Sequence, residues 1–330
     1  MDYPVALSSG SVTKLCYDYV IPTALSTVCH PFVTARTLMM LGYEFEQPKL
    51  GRNIIGLQRY MYPNVFNYLG HLREEVGLFR LFTVGLPASV VGSSIKSSIC
   101  EFYLKQHVAG YVYKKSVIET EFGFRVFLKE TTKLTIARCL GLLVSYPFQV
   151  IMIRQMAQLV GNETIYSSIL QAFVEINANE GLPGLLSGLI PRLLGEVITV
   201  WLTAGMAYIV NRYLIPEGSD PKFKEQTPYI ASSLWFAYSG FDVGPHCHAT
   251  YPINSSILHE DGLTTYSQIV IVSSCTHRLT VTSTVMAVSG SGLSVDVPFK
   301  NSLECYNYLS TRNAFLRGAS FFFRYAAGPL

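Results

Sequence analysis

This chain repeats itself, and no other feature limits its possible folds as much. His30-Pro31-Phe32-Val33-Thr34-Ala35-Arg36 recurs as Tyr146-Pro147-Phe148-Gln149-Val150-Ile151-Met152. Downstream of each comes a Gly-rich element. In the first copy it runs from Glu75-Val76-Gly77 to Gly85-Leu86-Pro87, and in the second from Glu180-Gly181-Leu182 to Gly188-Leu189-Ile190-Pro191-Arg192. A third copy stands at Phe315-Leu316-Arg317-Gly318 and runs on to Arg324. Repetition of this kind means one supersecondary unit, stacked because a single unit cannot bury its apolar face alone. The unit reads as a Pro-kinked helix, a polar connection such as Asn162-Glu163-Thr164 with a short helix, a Gly-rich turn and a second long helix. The expected repeats are 1–115, 116–222 and a degenerate, truncated 223–330.

Composition says which solvent the units face. Of 330 residues, 49% are hydrophobic and only 14% charged, against about 25% charged in soluble domains. That leaves too few charges to clothe a water-exposed surface, and the mean hydropathy of +0.30 agrees. Five stretches approach the roughly 20 residues needed to span a bilayer. They run from Ser11 to Met40, Leu81 to Tyr103, Leu134 to Leu159 and Leu189 to Leu214. The fifth is broken, starting at Tyr229 and resuming from Leu279 to Leu293. Each carries Ser, Thr, Gly, Pro or a charge, as helices do when they pack around a polar interior. Prolines are tolerated there because neighbouring helices satisfy the freed backbone groups.

Several chemistries find no support. A net charge of +3 gives no basis for a nucleic-acid partner. Seven scattered cysteines, an odd number without a CxxC, make neither a disulfide nor a zinc framework. His246-Cys247-His248 has metal-ligand types at a spacing too close for a tetrahedral site. Ser289-Gly290-Ser291-Gly292 lacks the strand-to-helix context of a nucleotide loop and reads as a helix end. No Ser/His/Asp or Cys/His set has a recognisable context. No enzyme, cofactor or metal is expected. Met1-Asp2-Tyr3 is not expected to open a cleavable leader, and targeting is expected to reside in the membrane segments. The residues most apt for function are the intramembrane charges Arg36, Arg138, Arg154, Arg192 and Glu196. A charge facing lipid at midplane costs at least about 2.5–3.5 kcal/mol, so each should face an interior or reach the interface. Arg192 and Glu196 lie one turn apart and could pair.

The repeat resembles the mitochondrial carrier fold, three tandem units of two spanning helices each. The resemblance covers most of the chain, and Gly188-Leu189-Ile190-Pro191-Arg192 is its most specific element. Within that superfamily the chain is similar to the mitochondrial carrier homolog family. The match lies at 50–56, 129–132 with 136–138, Ser145-Tyr146-Pro147-Phe148, 188–196 and Met286-Ala287-Val288. It implies an all-α membrane protein whose structural signature includes Pro31, Pro147, Gly188, Pro191, Gly318 and Arg324. Transporters pair an acid and a base of the Pro-x-[Asp/Glu]-x-x-[Lys/Arg] motif between repeats. Here those positions hold Val33 and Gln149, then Arg36 and Met152. Such a set cannot close a gate by ion pairs, so metabolite transport is the least favoured function.

Two further departures shape the expectation. Only six residues follow Arg324, so a sixth span is expected to be missing. The fold would then be unclosed, with a lipid-open groove between the first and fifth helices. A polar stretch from about Leu234 to His277 interrupts the fifth helix. It reads as a translated intron, with a genuine extramembrane loop as the alternative, and it would put the activity of this form in doubt. The resemblance implies a multi-pass protein of the mitochondrial outer membrane that inserts tail-anchored and other α-helical proteins. It also implies a docking site for the truncated pro-apoptotic protein BID and a tie to lipid scrambling. The implied partners are such clients, BID-like proteins and membrane lipids. Arg36 and Glu196 match polar groove positions of the family, with Arg138 and Arg192 behind them. A receptor or scaffold without insertase activity is the alternative.

Overall fold

The computed structural model describes residues 21–52, 58–112, 124–161, 163–213, 276–294, 296, 298–320 and 324–326. The region 234–275, including His246-Cys247-His248, lies outside the described residues. Helix α1 (Ile21–Leu41) contains Pro31. A hairpin of β1 (Lys49–Arg52) and β2 (Gln58–Tyr62) follows. The surface helix α2 (Val65–Val76) starts where the Asn64 side chain accepts from the Asn67 amide, satisfying one of the orphan donors of a first turn. Next come α3 (Leu78–Thr83) and the long α4 (Leu86–Val112).

The second unit repeats this order. Helix α5 (Phe124–Ala157) contains Pro147. Helix α6 (Ile169–Asn179) is capped by Ser168, and α7 (Leu182–Leu185) leads to α8 (Leu189–Tyr213). Pro191 sits in the first turn of α8, where a missing N–H costs nothing. The third unit has α9 (residues 276–288) and α10 (Ser302–Thr311), a 3-10 turn at Ala314–Leu316, and β3 (Arg324–Tyr325). Helix α9 ends at Gly290 and Gly292, both at positive φ, so the Ser-Gly-Ser-Gly element is a helix terminus. Thr276 and His277 belong to α9. The interruption expected to extend to His277 therefore ends before it.

Three segments are long and apolar enough to cross a membrane, namely Leu78–Leu104, Phe127–Ala157 and Leu182–Gly205. Their outward faces expose Val91, Ile136, Val144, Ile190 and Leu194. Such faces suit lipid, whereas in water they would form an apolar patch far larger than soluble monomers carry. The first and fifth expected spans run partly through residues outside the description.

One lock, used three times, joins the units. In each, a side chain of the unit's first helix bonds to the carbonyl just before a positive-φ glycine. His30 Nε2 meets Val84 O at 2.8 Å, the Tyr146 hydroxyl donates to Ser187 O at 2.8 Å, and His277 Nε2 meets Arg317 O at 3.0 Å. The glycines that follow, Gly85, Gly188 and Gly318, have φ of 79°, 81° and 65°. Each packs against the first helix of the next unit around the ring. A Cβ at Gly85 would lie 3.3 Å from Met156, one at Gly188 2.5 Å from Ser283 O, and one at Gly318 2.9 Å from Met40. The third turn thus docks on the first helix, and the ring of units closes on itself.

That closure corrects the expected groove at this end of the bundle. Met40 of α1 shares a buried cluster with Val281, Val285 and Met286 of α9, together with Phe315. The two helices that were to stand apart are packed together here, because the Gly318 turn draws them in. The small sheet is a second difference from an all-helical expectation. Strand β3 pairs antiparallel with β2, setting Tyr62 opposite Arg324. The strand edge left by the hairpin thereby finds backbone partners.

Candidate functional site

Three long helices bring ionisable side chains together at mid-span. Lys96 comes from α4, Arg138 from α5 and Glu196 from α8. The Glu196 carboxylate lies 3.2 Å from Lys96 Nζ and 3.6 Å from Arg138 Nη1. All three residues are buried, at 6%, 5% and 4% exposure. Gly141 makes the approach possible, since a Cβ there would stand 2.9 Å from the Lys96 carbonyl oxygen. Small residues at such contacts let helix backbones come close within a membrane. One turn before Glu196, Arg192 reaches across to the Thr280 hydroxyl of α9 at 3.5 Å. A polar track therefore runs inside the bundle from α4 and α5 through α8 to α9. It holds hydrogen-bond donors and acceptors where lipid would offer none. Its chemistry is solvation and charge pairing.

A second set of charges lies at the ring of glycine locks. Arg154, fully buried in the last turn of α5, holds Glu180 in a bidentate pair at 2.6 and 2.7 Å. Its Nε donates to the Ala287 carbonyl of α9 at 2.9 Å. Arg324 pairs with Glu44 and donates to Pro63 O at 2.8 Å, with its guanidinium over the rings of Tyr62 and Tyr68. Arg317 pairs with Asp296 at 2.8 Å. Burial pushes the Glu44 carboxyl above the usual range, against the pull of Arg324 and Arg317. Burial also pushes the Tyr68 hydroxyl up, and it pushes the Cys305 thiol up to about 12, leaving it unreactive.

The residues singled out in the sequence divide between these two places. Arg138 and Glu196 meet in the mid-span cluster, and Arg192 extends it. Glu196 takes Lys96 and Arg138 as partners rather than serving only as the one-turn partner of Arg192. Arg36 lies elsewhere, with its Nε donating to Gly318 O at 3.3 Å. It occupies the position on α1 that Met152 holds on α5, about 20 Å along the helix from the level of Arg138. The reason is the docking of the Gly318 turn, which claims the residues just past the kink. Arg154 is a buried paired residue and does not anchor at the interface. Pro31, Pro147, Pro191, Gly188, Gly318 and Arg324 all fall in or beside the ring of locks.

Sequence reasoning missed Lys96, Glu180, Tyr146, His277 and Thr280. Lys96 had a usable signal, since it lies inside the expected second span, Leu81 to Tyr103, just as Arg138 lies inside the third. Glu180 stood in the repeat pattern with nothing to name Arg154 as its partner. Among the described residues no group of side chains could hold a metal ion.

Long apolar helices, two units with a proline inside the first helix, and three glycine locks in a ring make the architecture of a carrier-type membrane protein. A profile described as mitochondrial carrier protein matches residues 127–218. Mitochondrial carrier homolog 2 of mouse is 28% identical over 317 residues, covering 92% of each chain. The human homolog 2 is 28% identical over 321 residues with the same coverage. Mitochondrial carrier homolog 1 of mouse is 28% identical over 310 residues, covering 92% of this chain and 74% of its own. These matches over 92% of the chain, with its membrane-capable helices, support reading the chain as a divergent member of the mitochondrial carrier homolog family and a mitochondrial membrane protein.

Proposed function

We propose that this protein is an insertase of the mitochondrial outer membrane, acting on tail-anchored and other α-helical membrane proteins. The supporting observation is the mid-span cluster of Lys96, Arg138 and Glu196 with its extension to Arg192. A client's hydrophilic end must cross hydrocarbon, where each unsatisfied polar group costs several kcal/mol. Partial solvation by an interior polar track lowers that barrier, and no covalent step is needed. Passage runs beside the cluster; the end at Met40 and Gly318 is packed and serves as the frame. The same polar interior is proposed to let lipid headgroups cross, and the exposed faces to dock BID-like proteins.

The test is insertion of a tail-anchored client into proteoliposomes. Wild-type protein is compared with Arg138→Gln/Glu196→Gln and with Arg36→Gln. Loss of insertion in the double variant with retained fold supports the reading. Equal insertion by wild type and the double variant overturns it and leaves the receptor role.

A further inference from the structure

The three joints of the ring are not built alike. After Gly85 the chain enters α4, which lies along α5, where a Cβ at Gly92 would stand 3.0 Å from Phe148. After Gly188 it enters α8, which lies along α9, where a Cβ at Gly195 would stand 3.7 Å from Leu279. After Gly318 no long helix follows among the described residues, and β3 takes its place. This strand fastens the third unit to the first. It sets Tyr325 opposite Met61 and Arg324 opposite Tyr62, and the Ala326 amide donates to Tyr60 O at 2.9 Å. Arg324 is 5% exposed, pairs with Glu44 and donates to Pro63 O at 2.8 Å. All these partners belong to the first unit. Toward the third unit the fit is looser. A cavity of about 100 Å³ is lined by Arg324 and Tyr325 together with Arg312, Leu316 and Arg317, so strand and turn are not packed flush.

We infer that β3 is a latch on the seam between α1 and α9: seated, it holds the seam shut at the Gly318 end, and released, it lets the seam part. Three observations carry this. The seam lacks the helix-on-helix packing that pins the other two joints, so more of its closure falls on the strand. The strand can leave without emptying the core, because no residue of β3 belongs to the buried cluster of Met40, Val285 and Phe315. A short ladder of this kind opens at the low end of local unfolding free energies. Finally, both helices of the seam can bend. Thr280, Thr282 and Thr284 of α9 bond back to carbonyls four residues earlier at 3.3, 2.8 and 2.9 Å, and Thr34 and Thr37 of α1 do the same at 3.1 and 2.9 Å. Such back-bonding bends helices and weakens them slightly. The inference stands apart from the insertase reading, since it invokes no client.

The experiment uses the full chain in liposomes, with one reporter cysteine in the seam and one at the joint of the first two units. Val285→Cys and Met156→Cys serve, both residues being buried. Labelling by a water-soluble maleimide is read at each position by mass spectrometry. Arg324→Gln is expected to raise labelling of Val285→Cys several-fold and to leave Met156→Cys unchanged. Equal labelling of Val285→Cys with and without Arg324→Gln overturns the latch. A rise at both reporters overturns it too, because that is general loosening. A second variant keeps Arg324. Met61→Cys/Tyr325→Cys places two thiols at facing positions of the strand pair, within reach of a disulfide. Bolting the strand with copper phenanthroline is expected to cut labelling of Val285→Cys several-fold below that of the reduced protein. Identical labelling before and after bolting overturns the inference.

Discussion

The two buried charge clusters of this protein differ in how tightly they are held. At the glycine ring, Arg154 meets Glu180 at 2.6 and 2.7 Å and donates its Nε–H to a carbonyl of the next unit. At mid-span, Glu196 is shared by Lys96 and Arg138 at 3.2 and 3.6 Å. A bidentate guanidinium–carboxylate pair fixes both distance and plane, which suits a joint between repeats. A shared carboxylate at longer distances fixes little and can re-partner, which suits a surface that must receive a passing group. Burial alone does not separate a structural charge from a functional one; geometry and partner number do.

The largest expected effect comes from breaking the joint. Arg154→Met strands Glu180 and frees the Ala287 carbonyl. Removing one partner of a buried pair costs about 3–5 kcal/mol, and Glu180 keeps 22% exposure, so the loss should fall near the lower figure. Thermal unfolding in detergent measures it, and a double-mutant cycle with Glu180→Gln should return most of it as coupling. Equal stability of Arg154→Met and wild type would remove the structural side of the comparison.

The glycines sharpen the same side. Gly188→Ala forces a Cβ into a positive-φ residue and to 2.5 Å from the Ser283 carbonyl oxygen. Strain and overpacking together should cost about 2–4 kcal/mol. Gly318→Ala meets the side chain of Met40 and Gly85→Ala those of Met152 and Met156, which can move. The expected order of destabilisation is Gly188, Gly318, Gly85, read as melting midpoints. A reversed order would mean the three locks are not equivalent in construction.

These elements also show what the sequence could and could not disclose. The proline-bearing helices were legible, because Pro31 and Pro147 each open a Pro-Phe pair within a long apolar stretch, and apolar length announces a span. The charges Arg138 and Glu196 were legible because hydrocarbon makes any ion conspicuous. Their grouping was not, since Lys96 and Glu196 are far apart in the chain and meet only through helix packing at Gly141. The same limit hid Arg154–Glu180 and the pairing of β2 with β3, both products of the closed ring. It also led to the expectation of a groove between the first and fifth helices, which at the Met40 end is filled by a turn that counting helices missed.

At the mid-span cluster the expected stability effect is smaller. Arg138→Gln leaves Lys96 to balance Glu196, so the deficit should fall below the about 3–5 kcal/mol of a buried charge left with no partner. Client insertion should fall further than stability does. Losing one or two kcal/mol of solvation along the path corresponds to a roughly five- to thirtyfold slower rate. A variant that loses stability and activity in parallel would place Arg138 with the joint residues.

The smallest effect lies outside both clusters, at an exposed site that calibrates them. Glu46 accepts from Lys49 at 2.9 Å and meets His71 at 2.9 Å. Those two hydrogen bonds hold its carboxyl below the usual carboxylate range, Lys49 contributing most. A depressed carboxylate adds stability above its unfolded value and loses it as pH falls through its folded value. Glu46→Gln should therefore lower the melting midpoint slightly at neutral pH, and the two proteins should converge in acid. Exposed pairs contribute little, and added salt should shrink the gap further. Salt should leave the Arg154→Met deficit nearly unchanged, because that pair is shielded from solvent. If salt erased both deficits alike, the tight joint would be no better insulated than a surface contact, and distance would no longer separate the two buried clusters.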